Sequence, residues 1–116
     1  MLNIPKGKFG EDQAVDYLID NNYTILERNY RIKIGEIDII ACKDEVIFAI
    51  EVKYRKQLEE DFHPFLTMTK HKLFKMQTVI QSYIMNNTRF GSFDVSFCLI
   101  AVDEKSKVNF YSHLTN

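Results

Sequence analysis

The chain is poor in the residues that mark secreted, membrane or zinc proteins. Its two cysteines, Cys42 and Cys98, lie in apolar runs, and neither belongs to a CxxC or Cys/His cluster. They read as reduced, packed thiols. His63, His71 and His113 are scattered, so no zinc-ligand spacing is present. Internal repeats, low-complexity tracts and Pro/Gly-rich linkers are all missing. No apolar run reaches membrane-spanning length, and the opening MLNIPKGKFGED lacks the apolar stretch of a secretion signal. The expectation is a cytoplasmic protein that makes no use of a membrane.

A strong excess of one charge is missing too. The net charge is -1, which is not the footprint of a tight nucleic-acid binder. The charge is unevenly spread, however. Lys6, Lys8, Arg28, Arg31 and Lys33 precede the central apolar segments, and Lys53, Arg55, Lys56, Lys70, Lys72 and Lys75 follow them. Glu59, Glu60 and Asp61 form a separate acidic cluster. A local basic face is compatible with this distribution.

What is present suits one folded domain over residues 1–116. Hydrophobic residues make up 46% and charged residues 27%, which supplies a core and argues against disorder. Ala14, Val15, Leu18 and Ile19 form an apolar stripe at helical spacing, which predicts a helix over about 8–22, ended by Asn21-Asn22. Strands are expected over 23–32, 34–42 and 46–54, the last two joined by the turn Lys43-Asp44-Glu45. A loop follows over 56–66. A second helix is expected over about 69–87, capped by Thr67 or Thr69. Its apolar face is Leu73, Met76, Val79, Ile80, Tyr83 and Ile84. Two more strands follow, SFDVSFCLIAV and a short one near 107–113. The order αβββαββ predicts an α/β fold. Its mixed sheet of four to five strands has a helix on each side or both on the flanks.

Acids and a lysine stand inside two of these strands. Side chains in a strand alternate faces. Ile47, Ala49, Glu51 and Lys53 therefore share one face, and Glu36, Asp38, Ile40 and Cys42 share a face of the preceding strand. If residue 42 pairs with 47, then 38 lies opposite 51 and 36 opposite 53. Asp38, Glu51 and Lys53 would then meet. Glu11, on the inward stripe of the first helix, adds a carboxylate at its first turn. Crowded carboxylates demand a counter-charge, and oxygen ligands of this kind suit Mg2+ or Mn2+. Such a site supports phosphodiester hydrolysis, with Lys53 stabilising charge on the phosphate.

Each residue also has a plainer reading. A charge in an apolar strand can guard an edge, and Glu51 and Lys53 can form a simple ion pair. Glu36, near a strand start, can be solvated. Lys72 and Lys75 fit a solvated helix face or a phosphate contact, and Tyr30, Tyr54 and Arg55 fit packing and surface roles.

Asp38, twelve intervening residues and then Glu51-Val52-Lys53 resemble the signature of the PD-(D/E)XK nuclease superfamily. Further residues extend the likeness: Gly10-Glu11, Ala14, Leu18, Arg28-Asn29, Gly35 to Ala41, Arg55, Lys72, Tyr83 and Phe93-Asp94-Val95. Together they resemble the small bacterial YraN-like family of predicted endonucleases, distantly similar to archaeal Holliday-junction resolvases. The likeness covers most of residues 7–100. One departure is Ala49-Ile50, where relatives more often carry Phe-Val.

The resemblance implies a restriction-endonuclease-like fold and a Mg2+ or Mn2+ site. Glu11, Asp38 and Glu51 would be the metal ligands. Asp38, Glu51 and Lys53 would be the catalytic set, and Lys72 would hold a helix position where such folds place a supporting polar residue. Arg55, Lys56, Lys72 and Lys75 are the candidates for nucleic-acid contact on the local basic face. The resemblance implies DNA as partner, branched or junction DNA included, and a homodimer. A protein partner that assists DNA binding is a further expectation, given the near-neutral charge. The rival expectation is a nucleic-acid-binding or protein-interaction module on the same fold that cuts nothing.

Overall fold

The computed structural model describes residues 6–56 and 67–114. Helix α1 (Lys6–Asp20) leads into strands β1 (Thr24–Ile32), β2 (Gly35–Lys43) and β3 (Val46–Arg55). Helix α2 (Lys70–Met85), a 3₁₀ turn at Thr88–Phe90, and strands β4 (Asp94–Asp103) and β5 (Val108–Tyr111) complete the order. The strands form one sheet, β1-β2-β3-β4-β5. The β3–β4 pair is parallel and the other pairs are antiparallel. A parallel pair needs a crossover, and α2 lies within it. This is the expected αβββαββ α/β arrangement, consistent with a restriction-endonuclease-like fold.

The helices cover opposite faces of the sheet. Ala14, Val15 and Leu18 of α1 pack with Ile39, Ala41, Phe48, Ile50, Cys98, Ile100 and Val102. Leu73, Met76, Val79, Ile80 and Tyr83 of α2 pack with Ile37, Ile40, Ile47, Ala49 and Leu99. Of the two expected placements, a helix on each side is the one formed. Ile19, predicted on the inward stripe, is 54% exposed.

Turn chemistry sets the junctions. Asn22 takes φ 69. Asn22 N–H bonds the Ile19 carbonyl and Tyr23 N–H bonds the Leu18 carbonyl. That is a Schellman ending, with asparagine tolerating the left-handed position. Asp44 and Glu45, at φ 52 and 63, form the two-residue turn between Lys43 and Val46. Positive φ at both central residues matches the twist of a hairpin. Thr69, one of the two candidate caps, accepts a hydrogen bond from Lys72 N–H at 3.2 Å. Cys42 and Cys98 are free thiols. The predicted loop over 56–66 lies, apart from Lys56, outside the described residues.

Strict alternation fails twice in the β1–β2 ribbon: at a register shift between Ile25 and Glu27, and again beside Asp38. Arg28 pairs with Ile39, and both face α1; Tyr30 pairs with Ile37, and both face α2. Positions two apart in a regular strand share a face, so the β1–β2 ribbon turns over between these pairs. Asn29, in the left-handed region at φ 54, stands at the turnover, between the Arg28–Ile39 and Tyr30–Ile37 pairs. The single face expected for Glu36, Asp38, Ile40 and Cys42 is therefore broken at Asp38.

Candidate functional site

The expected register is present: Cys42 pairs with Ile47, and pairing runs to Ile39 opposite Ile50. It stops there. At the next position the Val52 N–H donates to Asp38 Oδ2 at 2.8 Å. A side-chain carboxylate thus takes over from backbone pairing where β2 leaves β3. Neither the predicted 38–51 pair nor the predicted 36–53 pair forms in the ladder, because the ribbon has already turned away. Glu36 is exposed and binds Arg31, with Arg31 Nη2 to Glu36 Oε2 at 2.8 Å.

The separation of β2 from β3 opens a cavity of about 230 Å³ lined by Gly35, Glu36, Ile37, Asp38, Glu51, Lys72, Lys75 and Met76. Burial pushes the Asp38 carboxyl above the usual aspartate range; the Val52 hydrogen bond opposes this, and Glu51, Glu36 and Glu11 add to the rise. Gly35 sits close to α2, where a Cβ would lie 3.3 Å from a Val79 methyl.

Glu51 has a side chain 14% exposed. Its Oε1 forms an ion pair with Lys72 Nζ and has Lys53 Nζ at 3.8 Å. Its Oε2 is buried and has no hydrogen-bond partner among the described residues. Lys53 has its ammonium pKa lowered by burial; Glu51 opposes this, and Lys72 and Arg55 reinforce it. Lys72 comes from the first turn of α2, where Thr69 caps its own backbone N–H. The positive end of the helix thus lies beside the carboxylates.

Glu11 occupies an adjoining cluster. Its Oε1 accepts from Arg28 Nε at 2.9 Å and Asn29 Nδ2 at 3.0 Å. Arg28 also reaches Asp12 Oδ1 at 2.6 Å. Helix α1 comes close to β3 here because Gly10 has no side chain: a Cβ would lie 3.3 Å from Tyr54 Cβ. Among the described residues, no three His, Cys, Asp or Glu side chains form a group placed to hold a metal. Asp38 and Glu51 share a cavity, while Glu11 is held by Arg28 and Asn29.

Asp38 and Glu51 are the residues that would hold a divalent cation here. Glu51 Oε2 is a buried ligand atom without a partner, Asp38 has an oxygen beyond the one bound to Val52, and both line one space. Mg2+ commonly uses only one or two carboxylates, with waters and phosphate oxygens completing its shell.

Of the basic residues, Lys72 and Lys75 line the cavity. Arg55 and Lys56 are exposed, and Arg55 Nη1 bonds the Tyr54 carbonyl at 3.0 Å. Tyr30 and Tyr54 pack edge-on against Tyr83 and Phe9. Sequence patterning left Arg28 and Asn29 without a structural task. A polar pair in mid-strand was the signal. It becomes interpretable once α1 is docked over β1.

The fold class is thus a helix-flanked mixed sheet with charged residues clustered where two strands part. The chain belongs to the uncharacterised protein family UPF0102, whose model matches residues 10–102. A UPF0102 protein of Leptospira interrogans is 39% identical over 109 residues, covering 94% of this chain and 93% of that protein. One from Clostridioides difficile is 47% identical over 88 residues, 75% of each chain. One from Dictyoglomus turgidum is 32% identical over 117 residues, covering 100% of this chain and 98% of that protein. No helix among the described residues is long and apolar enough to cross a membrane.

Proposed function

We propose that the protein is a divalent-metal-dependent endonuclease of the PD-(D/E)XK type that hydrolyses DNA phosphodiesters, branched or junction DNA included. The observation that carries this reading is the unpartnered Glu51 Oε2 in the cavity it shares with Asp38. A buried carboxylate oxygen without a donor is costly. A Mg2+ or Mn2+ ion on Asp38 and Glu51 would supply its counter-charge and polarise a phosphoryl oxygen. Glu11 acts from the adjoining cluster by orienting Arg28 and Asn29.

Lys53 is placed beside the same carboxylate and acts on the nucleophilic water and on the phosphate as negative charge builds. Its lowered pKa makes that ammonium a readier proton partner than an exposed lysine. Lys72 and Lys75, at the amino end of α2, offer cations to the DNA backbone. Arg55 and Lys56 extend this basic edge from the end of β3. Phosphate contacts carry no sequence information, so the reading is of a structure-directed enzyme, with a homodimer or a helper protein supplying further grip.

The rival reading is a binding module without catalysis. The absence of a three-carboxylate group among the described residues favours it. The deciding experiment incubates labelled four-way junction, flap, linear duplex and single-stranded DNA with the protein and Mg2+ or Mn2+, beside a chelator control. Metal-dependent cutting of any of them supports the enzyme. No cutting of any of them supports the module.

A further inference from the structure

We propose that Lys72 is the resident counter-cation of Glu51 and that a divalent cation entering the cavity displaces it, freeing its ammonium for the substrate phosphate. The inference rests on the metal-dependent reading above and deepens it. Glu51 is largely buried, and a carboxylate in that setting needs a positive partner in every state of the site. Without metal the partner is Lys72, paired to Oε1. Lys53 approaches that same oxygen but stays at 3.8 Å. Oε2 has no partner among the described residues, so one lysine half-satisfies a group that a multivalent cation can satisfy in full.

The setting allows exchange. Lys72 has its backbone fixed by the Thr69 cap, while its ammonium sits on a flexible four-carbon stem. The head group can leave Glu51 with no movement of α2. The side chain is 37% exposed, so it has solvent to move into. The cavity, about 230 Å³, holds several waters at roughly 30 Å³ each, room for a cation with part of its hydration shell. Lys75 lines the same cavity without an ion pair to Glu51. It serves as the comparison for a merely nearby charge.

The test is calorimetric titration of Mn2+ alone into the native protein, Lys72→Met and Lys75→Met, with melting curves for each. Exchange predicts that Lys72→Met binds Mn2+ roughly five- to tenfold more tightly, because no internal cation competes. It also predicts a lower melting temperature without metal and a larger rise with it. Lys75→Met should change affinity by less than about twofold. If Lys72→Met destabilises the fold too far for titration, Lys72→Gln replaces it under the same expectation. Unchanged or weaker Mn2+ binding in the Lys72 variant overturns the exchange and leaves the metal site standing. Equal tightening in both variants overturns it too, since the effect would be general charge. Failure of the native protein and every variant to bind Mn2+ overturns both the exchange and the metal-dependent reading.

Discussion

The Val52 amide donates to the Asp38 carboxylate at the point where β2 parts from β3. One contact therefore ends the ladder, satisfies a strand N–H that would otherwise be orphaned, and fixes one oxygen of a carboxylate in the cavity. Structural and chemical duties meet in Asp38, so they should be separable by substitution. Asp38→Asn keeps an acceptor for Val52 and removes the charge. It should fold, and Mn2+ should no longer raise its melting temperature. The native protein should gain about 2.7 kcal/mol at 100-fold excess over Kd. Thermal melts with and without Mn2+ check this.

The same substitution has a pH signature. The folded pKa of Asp38 is raised, so the folded state holds that proton more tightly than the unfolded chain. The favourable contribution is present below the unfolded pKa and is lost as pH rises through the folded value. In the absence of metal, Asp38→Asn should therefore gain on the native protein as pH rises from about 4 to about 7. Melting temperatures of the pair across that range test the sign. A native protein that instead gains on Asp38→Asn as pH rises contradicts it.

Asn29 combines a left-handed backbone with a side-chain bond to Glu11. Asn29→Ala should cost about 1–2 kcal/mol, from the strained φ and the lost bond together. Asn29→Gly removes only the bond and should recover part of that loss. Denaturant midpoints of the two variants separate the backbone from the side-chain share.

How far the site was legible follows from the range of the forces involved. The β2–β3 register, Glu11 on the inward side of α1 and the Thr69 cap all depend on periodicity or local turn chemistry. Those are written into adjacent residues. The turnover at Asn29 and Asp38 was not legible, because a single left-handed asparagine breaks the alternation on which face assignments rest. The Lys72–Glu51 pair needs α2 docked across the sheet, a contact spanning twenty-one positions that no spacing rule contains. Spacing alone therefore offers Lys72 only a solvated helix face or a phosphate contact. The three-carboxylate site was expected because Glu11 points inward, but Arg28 and Asn29 reach it first.

DNA affinity should be carried by phosphate contacts and fall steeply with salt. Lys75→Ala should lower the slope of log K against log salt by about 0.9 if Lys75 neutralises one phosphate. Binding to four-way junction and linear duplex at several salt concentrations measures that slope. It also shows whether branched DNA is preferred, as the proposed function expects.

The central claim is that Asp38, Glu51 and Lys53 form a catalytic site, and single-turnover cleavage by matched variants tests it most directly. With Mg2+ or Mn2+ and the substrate the native protein cuts best, Lys53→Ala should keep Mn2+ binding and the fold. Its cleavage should drop by about 10²–10³ or more, the scale of losing one electrostatic stabiliser. Glu51→Gln should lose both metal binding and cleavage. Cutting that persists at the native rate in Lys53→Ala and Glu51→Gln would assign the activity to another nuclease and contradict the account.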